Sequence, residues 1–149
     1  MGEVVRQSIE IAAPIERVWA LVMDPARLGE WVTIHEQAFD LPDGELERGS
    51  TFGQRMKLKG VPLKVRWEVT ECRRPRRARW RGTAVAGAKA RIAYDLESSG
   101  SGTRFDYENE FELPAGQVGK LAARAFNAVS GDREARKSLR RLKELLEDG

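Results

Sequence analysis

Apolar and polar residues change their spacing several times along this chain of 149 residues. They alternate one by one over residues 4–11, which predicts a β-strand. Apolar residues then recur at helical spacing over residues 18–22, and Pro14 suits the first position of a helix, so we expect a short helix there. A second short helix is expected at about residues 26–30, just before Trp31.

Alternation returns from about residue 32 to residue 113 and predicts six further strands. Gly, Pro and Ser residues separate them, and the strands are expected at about residues 33–41, 50–59, 62–72, 77–84, 87–98 and 102–113. Each has one apolar and one polar face, which is typical of an antiparallel meander. After residue 116 the spacing is helical again up to Leu146 and predicts one amphipathic helix of about 30 residues, with a kink at Gly131.

This order of elements predicts an α+β protein with one domain over residues 1–149. Seven antiparallel strands twist, so their sheet curls. The long C-terminal helix is the only predicted element large enough to cover the apolar face of that sheet. A curled sheet around one helix leaves a cavity wherever the side chains between them do not fill the space.

Several segments are similar to those of a known superfamily. They are IEIAAPIERVW at residues 9–19, LVMDP at 21–25, EW at 30–31, WEVTE at 67–71 and RWRG at 79–82. With these segments and the long terminal helix, the whole chain resembles the START-like, or helix-grip, superfamily (SRPBCC proteins). Within it, the chain resembles the polyketide cyclase/dehydrase and lipid-transport branch. The resemblance implies the helix-grip fold, in which a curled seven-stranded sheet (order β-α-α-β6-α) wraps around the C-terminal helix.

The resemblance also implies a function, namely binding or transport of a hydrophobic small molecule such as a lipid, isoprenoid or polyketide. Two alternatives stay open. One is a polyketide aromatase/cyclase or dehydratase, in which Tyr and Asn or Gln side chains would hold enolate oxygens. The other is an interaction protein that uses the outer face of the sheet, as in relatives resembling a component of carbon monoxide dehydrogenase or the coenzyme Q-binding, ribosome-association proteins.

The inward-facing positions are rich in aromatic residues, which suit an apolar ligand pocket. We expect ligand contacts from Trp31, Gln54, Met56, Trp67, Trp80, Tyr94, Phe105, Tyr107, Asn109, Leu121, Ala125 and Phe126. The alternative for each aromatic residue is that it fills the core. Asn109 and Gln54 are inward amides that need partners, and these would be a ligand, a water molecule or a neighbouring strand.

The inventory of reactive residues is short. A single cysteine, Cys72, excludes an internal disulfide and multi-cysteine zinc sites, and a single histidine, His35, excludes two-histidine metal sites. We therefore expect no metal and no cofactor. His35 is either catalytic or a solvated residue at the rim, and Cys72 is expected to be structural. The sequence contains no nucleotide-binding, serine-hydrolase or HExxH motif.

Charge is unevenly distributed, although the net charge is only +3. Residues 55–81 carry 11 basic and 2 acidic residues (+9), whereas residues 95–112 carry 1 basic and 6 acidic residues (−5). Alternation places a basic set on the outer sheet face: Lys57, Lys59, Lys64, Arg66, Arg77, Arg79, Arg81, Lys89 and Arg91. This face is either a solvated surface, partly neutralised by Asp95, Glu97, Glu108 and Glu110, or a patch for anionic lipid headgroups, RNA or an acidic protein.

Composition limits the remaining possibilities. Aromatic residues do not interleave with the basic ones on that face, so no specific nucleic acid is expected. With 33% charged residues and no apolar run of about 20 residues, the chain is not expected to span a membrane. Its first residues do not have the pattern of a signal peptide. A cytoplasmic monomer or dimer is the resulting expectation.

Overall fold

A computed structural model describes residues 3–58, 61–84, 87–112 and 132–148 of the chain. The helices are α1 (Ile15–Val22), a 3-10 helix (Pro25–Glu30) and α2 (Asp132–Asp148). The strands are β1 (Glu3–Ile11), β2 (His35–Phe39), β3 (Thr51–Leu58), β4 (Val61–Arg73), β5 (Arg77–Ala84), β6 (Lys89–Ser99) and β7 (Gly102–Glu112).

The seven strands form one antiparallel sheet in the order β1-β7-β6-β5-β4-β3-β2. Strands β2 to β7 are therefore a meander, and β1 joins it by pairing with β7, with Val5 opposite Asn109. The sheet curls into a half-barrel with α2 against it, which confirms the predicted α+β helix-grip fold. That one domain spans residues 1–149 stays a prediction.

Two predicted elements differ from the structure in detail. The second short helix is a 3-10 helix, begun by Asp24, whose side chain accepts a hydrogen bond from the Ala26 amide at 3.1 Å. Strand β2 is shorter than its predicted range, because residues 33–34 form a turn and Asp40 adopts a left-handed φ of 52°. A positive φ at a residue other than glycine is typical of a turn, and it ends the strand.

Helix α1 forms because its apolar residues lie on one face. It buries Val18, Trp19, Leu21 and Val22, and Pro14 precedes it in an extended conformation. Helix α2 buries Ala135, Ser138, Leu139, Leu142 and Leu146.

Strand β1 anchors the C-terminal half of α2. The Lys143 ammonium donates to the Glu10 carbonyl at 3.0 Å, and the Ala12 amide donates to the Glu147 carboxylate at 2.8 Å. The first half of the predicted long helix, with the kink expected at Gly131, lies outside the described residues.

The basic outer face of the sheet is crossed by ion pairs. Five of the predicted basic positions each contact a carboxylate, and the pairs are Arg66–Asp40, Arg77–Glu71, Arg79–Asp95, Arg81–Glu68 and Arg91–Glu110. Most of these side chains are well exposed, so each pair stabilises the fold by about 0–1 kcal/mol. Lys59 lies outside the described residues. A macromolecular partner for this face stays a prediction.

Candidate ligand pocket

A cavity lies between the inner sheet face, the segment after the 3-10 helix, and the start of α2. Its walls are Leu28, Val32, Thr33 and Ile34, then Gln54, Met56, Trp67, Trp80, Ile92, Tyr94, Tyr107, Asn109 and Phe111 from the sheet, and Glu134, Ala135 and Ser138 from α2. The cavity volume is about 50 Å³, which is room for a few water molecules. The walls are mainly apolar and aromatic, as ligand sites usually are.

Seven of the predicted ligand-contacting residues line this cavity: Gln54, Met56, Trp67, Trp80, Tyr94, Tyr107 and Asn109. Two others, Trp31 and Phe105, are fully buried behind the wall, with ring centroids 6.2 and 5.2 Å from that of Tyr94. The last three, Leu121, Ala125 and Phe126, lie outside the described residues. Whether the lining residues contact a ligand stays a prediction.

Sequence reasoning missed part of the wall. Thr33 and Ile34 lie in a predicted strand that the structure starts later, so alternation did not place them. Glu134, Ala135 and Ser138 belong to α2. Ser138 had a usable signal, because it is a polar residue within the buried stripe of an amphipathic helix.

A row of aromatic rings crosses four neighbouring strands and forms one wall of the cavity. Trp67 of β4, Trp80 of β5 and Tyr94 of β6 follow one another with centroids 5.8 and 5.3 Å apart, in edge-to-face arrangements. Tyr107 of β7 stacks on Tyr94 at 6.0 Å. Gly82 faces Trp67 across the strands, and a Cβ atom there would lie 2.8 Å from the indole ring. Glycine at this position therefore leaves room for the tryptophan.

Gln54 connects the cavity to His35. The Trp67 indole N–H donates to Gln54 Oε1 at 2.8 Å, and Gln54 Nε2 lies 2.9 Å from His35 Nδ1. An indole nitrogen only donates, so it fixes which end of the amide is oxygen. The amide nitrogen must then donate to His35 Nδ1, which leaves the imidazole neutral with its proton on Nε2. His35 is half-buried beside the pocket rather than in its wall.

Stability is expected to depend on pH through this histidine. Burial lowers the pKa of His35 from its ordinary value of 6.5. The folded protein then binds fewer protons than the unfolded chain, so this contribution to the free energy of unfolding falls as pH drops from about 6.5 to the lowered pKa. Asparagine can still accept from Gln54 but does not titrate. Between pH 7 and pH 5, we therefore expect the wild type to lose free energy of unfolding relative to His35→Asn, as measured by urea unfolding. A difference that is constant with pH would contradict this prediction.

Three side chains of the cavity wall are joined by hydrogen bonds between the segment before β2 and α2. The Thr33 hydroxyl donates to the Glu134 carboxylate at 2.5 Å, and the Thr33 amide donates to Ser138 Oγ at 3.1 Å. These contacts, which we call the Thr33 clasp, join the segment before β2 to the first turns of α2. They are partly buried and few, so they can open without unfolding the sheet.

Asn109 and Tyr107 form a second polar pair in the wall. Asn109 Nδ2 donates to the Tyr107 hydroxyl at 2.7 Å, while Asn109 Oδ1 is buried and has no partner among the described residues. Burial raises the pKa of Tyr107, and the hydrogen bond from Asn109 opposes that rise. Burial also raises the pKa of Tyr94 well above its ordinary value. Both phenols are therefore uncharged donors at neutral pH.

Within the described ranges, no group of three His, Cys, Asp or Glu side chains is placed to hold a metal ion. Cys72 donates its thiol to the Leu46 carbonyl at 3.7 Å, and burial raises its pKa, so the thiol rather than the thiolate is favoured. None of the helices in the described part of the chain is both long enough and apolar enough to cross a membrane.

Comparison with known proteins identifies the family of this chain. Residues 3–147 match the family described as polyketide cyclase / dehydrase and lipid transport. The chain belongs to that family, which confirms the resemblance to the START-like superfamily. A protein from Deinococcus radiodurans has the same fold, with a TM-score of 0.72 and 17% identity over 98% of both chains.

Two relatives come from Mycobacterium tuberculosis. The chain is 30% identical to the uncharacterized protein Rv1546 over 143 residues, which is 93% of this chain and 97% of the relative. It is 26% identical to a protein named toxin Rv0910 over 123 residues, or 81% and 85% of the two chains. The Polyketide_cyc-like protein Cgl2372 from Corynebacterium glutamicum, solved by NMR, shares 25% identity and a TM-score of 0.65, covering 99% and 93%.

Proposed function

We propose that this protein binds or carries a hydrophobic small molecule, such as a lipid, isoprenoid or polyketide, in the pocket between the sheet and α2. The observation that carries the proposal is the row of rings from Trp67 to Tyr107, which lines a cavity. Binding needs no cofactor and takes place in the cytoplasm. The family's description includes lipid transport, which supports a carrier.

The pocket must widen to accept such a ligand. Its volume of about 50 Å³ is well below the roughly 300 Å³ at which typical ligand pockets begin. The Thr33 clasp is the side at which it can widen, because few hydrogen bonds join α2 to the segment before β2 there. The opposite wall is a hydrogen-bonded sheet and cannot move as easily.

Naphthalene is a suitable probe, because its binding can be followed by the fluorescence of Trp67 and Trp80 in the wall. We expect saturable binding to the wild type. Ala135→Leu fills the cavity, so it should weaken binding at least about tenfold. Ala93→Leu is the matched control on the outer sheet face and should change the Kd less than about twofold. No saturable binding, or equal effects of the two substitutions, would contradict the proposed site.

Opening the Thr33 clasp should accelerate exchange of the probe. Thr33→Val keeps the shape of the side chain and removes the hydroxyl that donates a hydrogen bond to Glu134. We expect association and dissociation of naphthalene, measured by stopped-flow fluorescence, to become roughly three to ten times faster, as for loss of one hydrogen bond of ordinary net strength. Thr83→Val makes the same change at an exposed position of β5 and should leave both rates unchanged. Unaltered rates in Thr33→Val would place the entrance elsewhere.

Ring closure of a polyketide chain is a second candidate function, and Glu134 favours it. Glu134 is the one carboxylate among the described residues of the wall, and a carboxylate can accept the proton removed when an enolate forms. Glu134→Gln keeps an acceptor for Thr33 and removes the base. If the protein is a cyclase, a linear poly-β-keto thioester will give cyclised product with the wild type and none above background with Glu134→Gln. A carrier gives no product with either.

A further inference from the structure

Two residues of the cavity wall each have a buried polar atom without a hydrogen-bond partner among the described residues. These atoms are the acceptor Asn109 Oδ1 and the donor Trp80 Nε1. Asn109 is only 9% exposed and Trp80 only 2%. Buried polar groups are almost always paired in folded proteins, so each exception requires an explanation.

Two amide and hydroxyl side chains of the wall already have partners within the protein. Gln54 is bonded at both ends, to Trp67 and His35. Thr33 is bonded to Glu134 and Ser138 in the clasp. Among the described residues of the wall, the fully buried polar atoms left without a partner are therefore those of Asn109 and Trp80, both on the sheet.

Asn109 is an unfavourable residue for its position unless it has a further role. It lies in the interior of β7, where asparagine is depleted. Its cross-strand neighbours are Val5 and Ile92, and Phe111 follows on the same face. Its Nδ2 is bound to the Tyr107 hydroxyl, which holds the amide in place, and Oδ1 is left without a partner in the described part of the chain. A valine or threonine would fit this strand without an unpaired carbonyl.

We infer that the ligand of this pocket is uncharged and carries a hydroxyl or enol group, whose proton is donated to Asn109 Oδ1. The inference rests on the proposed function, because it concerns the ligand of the same pocket. An oxygen on the ligand can also accept from Trp80 Nε1. The described wall contains Glu134 and no Lys, Arg or His. A carboxylate or phosphate group would thus be buried there without a counter-charge, which is strongly unfavourable.

A hydroxyl is selected because the amide oxygen is buried and has no hydrogen-bond partner among the described residues. A ligand with an O–H group gives that oxygen a hydrogen bond and loses one water contact of its own. A methyl ether of the same size cannot donate, so the amide oxygen stays buried and unpaired. Sites built for a donor therefore discriminate strongly against analogues that lack it.

Three probes of similar size test the inference: 2-naphthol, 2-methoxynaphthalene and naphthalene, each titrated into the full chain at pH 7. We expect 2-naphthol to bind the wild type at least about tenfold more tightly than 2-methoxynaphthalene. In Asn109→Leu, the two should bind within about twofold of each other, and naphthalene should still bind. Asn109→Leu removes the unpaired carbonyl and also the hydrogen bond to the Tyr107 hydroxyl, so its melting transition is measured only to establish that the variant is folded.

The possible failures are distinguishable. If all three probes bind the wild type with the same affinity, or if Asn109→Leu keeps the preference for 2-naphthol, the inference is wrong and the hydrophobic pocket stands. If none of the three binds the wild type, the proposed function fails together with the inference. The comparison within the wild type needs no variant, so it holds even if Asn109→Leu does not fold.

Discussion

Replacing Trp80 by alanine is expected to lower the free energy of unfolding by about 3–5 kcal/mol, the range for removing a buried tryptophan or phenylalanine side chain. Trp80 is 2% exposed. Its ring contacts three others, with centroids 5.3 Å from Phe52, 5.8 Å from Trp67 and 5.3 Å from Tyr94. The alanine variant loses all three ring contacts. The strands β4 and β6 on either side of β5 cannot move in to close the space without breaking their hydrogen bonds to β5.

Trp80→Phe provides the control for this prediction. It keeps an aromatic ring and breaks no hydrogen bond within the described part of the chain, where the indole nitrogen has no partner. Its cost should come from lost volume alone, about 1–2 kcal/mol. Both values can be measured by urea unfolding with the same slope m. A cost of less than about 1 kcal/mol for Trp80→Ala would mean that the row of rings does not stabilise the sheet.

The sheet was predictable from the sequence because its signal is strictly periodic. In β7, Phe105, Tyr107 and Asn109 alternate with charged residues, and a shift of one position would bury the charges. The observed pairing keeps these residues on the inner face, opposite Ile9, Gln7 and Val5 of β1. Boundaries were less predictable where the backbone leaves regular geometry, as at Asp40 with its positive φ.

The pocket was only partly predictable, because alternation indicates on which face of the sheet a side chain lies and not whether it reaches the cavity. Phe105 and Tyr107 lie on the same inner face of β7, yet of the two only Tyr107 lines the cavity. Likewise, a sequence does not indicate which groups will form hydrogen bonds with a buried amide side chain. Gln54 and Asn109 were predicted as similar inward amides, but Gln54 is bonded at both ends and Asn109 at one. Strand register and side-chain rotamers decide that difference.

The aromatic row also explains how one face can serve stability and binding together. Edge-to-face contacts between Trp67, Trp80 and Tyr94 use the ring edges and hold the rings without help from a ligand. In the proposed function, the wall is preorganised on the sheet side and the Thr33 clasp on the helix side adapts. Binding would then cost free energy mainly for opening the clasp, and not for ordering the rings.

The second large effect is expected at Gln54, which is 3% exposed. Gln54→Leu should lower the free energy of unfolding by about 1–3 kcal/mol, because the Trp67 N–H would be left buried without an acceptor. His35 loses its donor as well, but its half-buried ring can bond to water instead. Leucine has a similar volume, so little of this cost should come from a cavity.

A double-mutant cycle separates the hydrogen bond from packing at this site. Trp67→Phe removes the donor, and in the double variant with Gln54→Leu neither side chain has an unpaired polar group. We therefore expect the double variant to be more stable than the sum of the two single costs predicts, by about 1 kcal/mol. Thermal or urea unfolding of the four proteins measures this coupling, and additive costs would contradict it. Because the same bond orients Gln54 toward His35 Nδ1, the Gln54→Leu variant should also alter the pH dependence of stability that His35 confers.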